Sequence, residues 1–551
     1  MSTTASPIPP QPAPASPPPR RARATLVLAC LGVFVSYLPV VGVSTALPVL
    51  HEALDADTAG LQWITDSFIL PTAALLLTCG MLADLYGRKK VYVAGLAFFC
   101  AGSAVCLSAD GVVQVCVGQA LTGVGTACLL PATLALISHV CPDPRVRARA
   151  IAAWTASLGL GLTLGPLIDG LLVQEAGWRW MFLPALVLAA LTALAGALLL
   201  TDSRAQRERH LDLPGQLLAV VAITALVYAV IEGGVAGWGS AHTVTGFVVA
   251  VLALPAFVAV ELRSPCPMLD MRLFRSRAFS GAALVMGVTL FAQVGLVYTL
   301  SLYFGLVHHA STLDIGVRLL AVNGFTVLLG PVVGRLMNRT SPGLLLITGL
   351  LVGGIGALCV SLFDATTGAG TATLVVAVFG IGIALAMAPV TTLTMDSLPY
   401  RLAGTAGAAN SALRQLGSAL GPAVFGVILA GRTLDALPGH LAATGLAAAD
   451  RGKTLGIVTD AGIEAGARLQ LGSAEATAAY WAAYGASFSD ALQTCAVVGG
   501  VGMLVAAAIA AALIGVRGRQ APGPRAGTAA ALTGPAAGPA PAECPAHSCG
   551  K

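Results

Sequence analysis

The chain is 551 residues long and 56% apolar, while Asp, Glu, Lys and Arg together make up only 10% of it. A soluble domain carries about 25% charged residues, so this composition, with a mean hydropathy of +0.84, excludes an ordinary soluble enzyme and a disordered main body. The net charge of +5 is modest, and arginine clusters between apolar runs read as membrane orientation, not as a nucleic-acid footprint.

Residues 1–23 are rich in Pro, Ser and Ala and end in Arg20, Arg21 and Arg23, which predicts a disordered cytoplasmic tail too Pro-rich for a cleaved signal. Apolar runs follow at about 25–49, 60–81, 91–108, 112–138, 149–172 and 180–201, then at 214–231 and 242–261. A last group lies at about 281–304, 316–337, 343–363, 371–394, 404–429 and 491–516. A span needs about 20 apolar residues, so the fold class expected is an all-α polytopic membrane protein with fourteen transmembrane helices. Strand-like alternation is absent, which excludes a membrane β-barrel. The expected domains are a six-helix half at 24–201, a two-helix insert at 202–262, and a second six-helix half at 263–516. The polar segment 431–488 within the last is expected outside the cell, and 517–551 forms a second disordered cytoplasmic tail.

Orientation follows from the positive-inside rule. With the N-terminus inside, the inner loops carry Arg88, Lys89 and Lys90, then Arg145, Arg147 and Arg149, then Arg204, Arg207 and Arg209, with further arginines in the later loops. Both termini are therefore expected in the cytoplasm, and the protein in the plasma (inner) membrane. No phosphate-binding loop, nucleophile elbow or zinc spacing occurs, so no enzymatic activity, cofactor or metal is expected. The 12 cysteines form no CxxC pair and read as small core residues.

Two stretches repeat. "GMLADLYGRKK" at 80–90 is echoed by "GRLMNRTSPG" at 334–343, and "GLTLGPLIDG" at 161–170 by "GSALGPAVFG" at 417–426. The nearly equal offsets imply two homologous halves around a central site, an architecture of secondary transporters. In the first motif Gly80 and Gly87 allow close helix approach and a tight turn, while Asp84, Arg88 and Lys89 form a charge set at the membrane boundary. In the second, Ser157, Gly161, Gly165 and Asp169 fall on one stripe of a helix, and Pro166 bends it. Small residues on such a stripe let another backbone approach closely.

On these residues the sequence resembles the major facilitator superfamily. Gly80, Asp84, Gly87, Arg88 and Lys89 match its signature G-x-L-a-D-r-x-G-r-K, which acts in that family as a cytoplasmic gate latch. Gly161, Gly165, Pro166 and Gly170 match the antiporter motif G-x-x-x-G-P-x-x-G-G, with Asp169 in place of one glycine. "LDLPGQLL", "IEGGVAGWGS", "ELRSPCPMLDMRLFRSRAFS" and "AGTAGAANSALRQLGSALG" are similar to the fourteen-helix drug:proton antiporter branch. The resemblance implies the major facilitator fold and export of a small hydrophobic or cationic drug or natural product, powered by the proton gradient. It implies a single chain in the lipid bilayer with no nucleic-acid partner. Two departures stand out: the branch's acid in the first helix is replaced by Pro39, and its arginine in the fourth by Gln119. A sensor without turnover, or a facilitator without proton coupling, are the alternatives those departures raise.

Ionisable residues within a span are functional candidates because their burial is costly. The proton-coupling candidates are Asp169, Asp66 and Arg414. Asp66 stands just inside the outer end of its span, beside Trp63 and Phe68, with a solvated place at the interface as the alternative reading. From position alone, Trp63, Phe68, Trp154, Tyr298, Tyr303 and Asn410 are the expected pocket lining.

Overall fold

The computed structural model describes residues 20–141, 144–201, 212–264, 271–337, 339–396, 403–466 and 469–515. The N-terminal half is α1 (Arg20–Leu54), α2 (Thr58–Tyr86), α3 (Arg88–Leu107), α4 (Val112–Val140), α5 (Pro144–Ala176) and α6 (Leu183–Leu199). The insert is α7 (Leu213–Val235) and α8 (Ala241–Arg263). The C-terminal half is α9 (Arg277–Leu302), α10 (Thr312–Met337), α11 (Pro342–Val360), α12 (Ala369–Asp396) and α13 (Ala403–Ala443); after α14 (Ala448–Ala461) and α15 (Ile463–Gly466) it closes with α16 (Ala474–Ile509). Thirteen helices among the described residues are long and apolar enough to cross a membrane. With the 29-residue α2 counted by its length, the number fits the fourteen expected. Without water in the bilayer core, every backbone N–H and C=O must be paired within its own segment, which is why the described chain is helical across these runs. Polar side chains mark the ends: Asp57 accepts from the Gly60 amide at 2.8 Å to start α2, and Ser240, Ser276, Ser341 and Ser473 cap α8, α9, α11 and α16 in the same way.

The two halves repeat one packing scheme. In the first, α1 lies on α5, α2 on α4, and α3 on α4 and α6; in the second, α9 lies on α13, α10 on α12, and α11 on α12 and α16. Glycine seams fix these pairs at equivalent places. A Cβ on Gly161 would fall 2.7 Å from the Phe34 carbonyl oxygen of α1, and one on Gly417 would strike the Gly287 carbonyl of α9. Lipid gives no hydrophobic drive between helices, so close backbone approach at such seams carries the association. The sequence echo between 161–170 and 417–426 is thus a shared packing seam.

The insert packs across the crevice between the halves. Gln216 of α7 donates to the Ala74 carbonyl of α2 at 2.5 Å and accepts from the Thr78 hydroxyl. Further along, Val227 and Ile231 pack with Phe68, Ile69 and Leu70 of α2 and with Ala419 and Ala423 of α13.

The halves touch each other at the end that carries the Asp55 turn between α1 and α2. There Pro48 of α1 lies against Gly305, just beyond α9, and the Ser301 hydroxyl donates to the Ser44 carbonyl. Gly170 of α5 lies against Leu313 of α10, the Pro166 carbonyl against Gly316, and Gln62 of α2 against Gly426 of α13. Toward the opposite end, where Gly87 turns α2 into α3, Val327 still meets Gly159, but a Cβ on Gly330 or Gly334 would meet nothing. The seam is shut at the Asp55 end, and α10 leaves α5 toward the other.

Candidate functional site

The α5 stripe is a parallel ladder on α1. Ser157 lies beside Cys30, Gly161 meets Phe34 and Tyr37, Gly165 meets Leu38, and Asp169 meets Gly42. Partners thus advance by four residues on both helices, as when the i±4 ridges of two helices interdigitate. One position on, Pro166 and Gly170 turn to α10 of the other half. The motif therefore serves two contacts: one inside its own half and one between the halves.

Asp169 is fully buried, and its carboxylate occupies the notch that the missing side chain of Gly42 leaves; its Oδ2 has no hydrogen-bond partner. Asp66 is also fully buried, with neither carboxylate oxygen partnered. Asp66 therefore lies inside the helix bundle and not at the wet boundary that its position near the helix end left open as an alternative. Gln62, one turn earlier on the same face of α2, fills the notch at Gly426 and joins α2 to α13 at the Asp55 end. An ionised carboxylate at either place would be a buried charge without compensation.

Arg414 of α13 is half-buried, and its guanidinium donates to the Tyr37 hydroxyl of α1 at 2.7 Å, a hydrogen bond from one half to the other. Gln119 is buried where the branch has an arginine; it accepts from the Thr122 hydroxyl at 3.3 Å, and its Nε2 is unpartnered. With Pro39 in α1, the usual acid and base positions both hold uncharged residues.

At the gate motif, Gly87 has φ 111°, a conformation that favours glycine. Arg88 donates to the Ala135 carbonyl of α4 at 3.1 Å, a Cβ on Gly80 would fall 3.4 Å from Pro131 of α4, and Lys89 lies in the first turn of α3. The Asp84 and Asn410 side chains lie outside the described residues, as do those of Arg145, Arg147 and Arg149 and residues 1–19 and 516–551.

The five remaining aromatics do not converge on one pocket. Trp63 stands 6.3 Å from Tyr228 of the insert, and Phe68 shares the cluster beneath it. Trp154 donates to the Thr133 hydroxyl at 2.9 Å, joining α5 to α4. Tyr298 is buried within α9. Tyr303 lies past the end of α9, stacks on Phe363, and donates to the Asp364 carbonyl at 2.6 Å. His308 edges against it, and burial, with help from the Arg318 charge, holds that imidazole below the ordinary histidine range. Tyr37, Gly42 and Gln62 are the participants that sequence reading missed. Each lies in a span beside a motif, but a lone tyrosine or glycine there reads equally well as core. The amide pair Gln293–Asn323, 3.1 Å apart between α9 and α10, carried no signal.

Residues 29–422 match the family model of the Major Facilitator Superfamily. The chain is 34% identical over 406 residues to the multidrug resistance protein Stp of Mycobacterium tuberculosis (strain CDC 1551 / Oshkosh), covering 74% of this chain and 75% of that one. It is 31% identical to the tetracenomycin C resistance and export protein of Streptomyces glaucescens over 74% and 76% of the two chains. Its fold is similar to a bacterial homologue of the human lysosomal transporter Spinster in an inward-facing, unoccupied conformation. That likeness has a TM-score of 0.58 at 15% identity and covers 89% of this chain and 96% of that one. The chain belongs to the major facilitator superfamily.

Proposed function

We propose that the protein is a drug exporter of the plasma membrane that works as a single chain, moving a hydrophobic small molecule outward by alternating access in exchange for protons. The observation that carries this reading is the inter-half seam, shut at the Asp55 end through α5–α10, α2–α13 and α1–α9 while α10 parts from α5 toward the Gly87 end. Relatives named for multidrug and antibiotic resistance support the drug class. Lysines and arginines gathered at the Gly87 end support a cytoplasmic position for that end and for both termini. The state described is then inward-facing.

Energised everted membrane vesicles test the reading with two fluorescent probes, ethidium, a permanent cation, and fluorescein, a lipophilic organic acid. At least one is expected to accumulate against its gradient and to leak out when a protonophore is added. Accumulation of neither, with the protein inserted, overturns export. The uncharged Pro39 and Gln119 favour one other reading, a facilitator; it predicts probe flux that stops at equal concentrations and ignores the protonophore.

Orientation has its own test. In a cysteine-depleted background, a membrane-impermeant maleimide applied to intact cells is expected to label Lys453→Cys in the segment between α13 and α16 and to leave Lys89→Cys unlabelled. The reverse pattern would invert the topology.

A further inference from the structure

The charged groups at the faces between the halves are unequally placed. Asp66 and Asp169 are sealed, whereas Arg414 is half-buried. Its guanidinium makes one hydrogen bond among the described residues, to the neutral hydroxyl of Tyr37. Two ion pairs, Arg179–Asp110 and His440–Asp490, lie elsewhere. A guanidinium carries five donors in a planar fork that suits a carboxylate bidentately. Within a membrane span an unneutralised cation is costly and marks a functional place. The wall around Tyr37 is apolar: Val33, Leu76 and Leu130 pack against it, with Leu158 and Leu162 of α5 beside them.

We propose that Arg414 is the recognition residue for an acidic group on the exported molecule, a carboxylate or an ionised phenol or enol, and that the Tyr37 hydroxyl holds its place when the site is empty. The substrate class is lipophilic organic acids rather than cations. This deepens the export reading and rests on it. A charge-assisted bidentate pair is stronger than one hydrogen bond to a neutral hydroxyl, so an arriving acid displaces Tyr37 from Arg414. The displaced bond joins α1 to α13, so binding also removes a tie between the halves. Tyr37 therefore competes with the substrate, and loss of Tyr37 and loss of Arg414 act in opposite directions.

The full-length protein in detergent, titrated with fluorescein, tests this directly. Arg414→Gln is expected to weaken fluorescein binding by about tenfold or more, the effect of removing a charged hydrogen-bond partner. Arg414→Lys, which keeps the charge and loses the fork, restores part of it. Tyr37→Phe is expected to tighten binding about two- to tenfold, because a neutral hydrogen bond no longer competes. A tyrosine that only supports the arginine would give weaker binding on removal, and that outcome overturns the proposal. Monodisperse elution of each variant separates loss of binding from loss of fold, and the Tyr37→Phe arm stands even where Arg414→Gln does not fold. Transport separates this proposal from the reading beneath it: export of ethidium without fluorescein overturns the acid class and leaves export standing, whereas movement of neither probe overturns both.

Discussion

Gly165→Leu is expected to bring efflux down to the background of membranes lacking the protein while the amount inserted stays unchanged. A Cβ at 165 would already collide with the Leu38 carbonyl oxygen of α1, a backbone atom that cannot step aside. A leucine there must push α1 and α5 apart, and overpacking of this kind costs about 1–3 kcal/mol or more. The strain falls on the ladder that also holds Asp169 in the Gly42 notch and sets where Pro166 and Gly170 meet α10. Gly439→Leu, on the extension of α13 where a Cβ would meet nothing, serves as the control and is expected to export normally. The check is drug efflux from intact cells, normalised to the inserted protein. Wild-type efflux by Gly165→Leu would show that the ladder is no constraint on the working cycle.

Asp169→Asn is expected to reduce substrate-induced proton release in proteoliposomes to the level of empty liposomes while substrate binding persists. The amide keeps the shape that fills the Gly42 notch and removes the group able to gain and lose a proton. Asp169 sits next to Gly170, and Gly170 is part of the α5–α10 contact that must part when the Asp55 end opens. Opening that seam therefore changes the solvation of the carboxylate, and a carboxylate that is buried in one state and wet in the other binds its proton differently in the two. Asp66 is the other fully buried carboxylate, one helical turn from Gln62, whose contact with Gly426 joins α2 to α13. If release continues unchanged in Asp169→Asn, the role passes to Asp66. If it continues in the double variant, no membrane carboxylate carries the coupling. Gly42→Ala provides an independent handle: its methyl group would take the space of the Asp169 carboxylate, so the same loss of proton release is expected without any change of charge.

Much of the architecture was legible before any coordinates. The apolar run lengths, the repeat near 80–90 and 334–343, and the small-residue period at 157, 161, 165 and 169 each follow from a rule that acts locally along the chain. A span must pair its own backbone groups, and a helix presents every fourth residue on one face. That is enough to identify the helices, the halves and the stripe. The same period could not say what the stripe touches. Only the tertiary structure placed Gly161, Gly165 and Asp169 on α1 while Pro166 and Gly170 met α10, because helix-to-helix register depends on atoms hundreds of residues apart.

Asp66 shows the limit most clearly. Its sequence position near the end of the span left both a buried place and the water boundary open. Its full burial, with both carboxylate oxygens unpartnered, is visible only in the folded chain. Arg414 was visible as an ionisable residue in a span, but Tyr37, its partner from the other half, was not, since a single tyrosine in an apolar run has no period to betray its role. The aromatics guessed as one pocket were scattered by the fold for the same reason: composition reports that they are apolar, not which neighbours they face. The sequence by itself determined that this is a polytopic helical transporter with two related halves and a glycine-lined fifth helix, because those properties are local or periodic. The tertiary structure alone decided which carboxylates are sealed, that Arg414 reaches across to Tyr37 of the other half, and at which end the halves are shut, because burial is a property of contacts between distant segments.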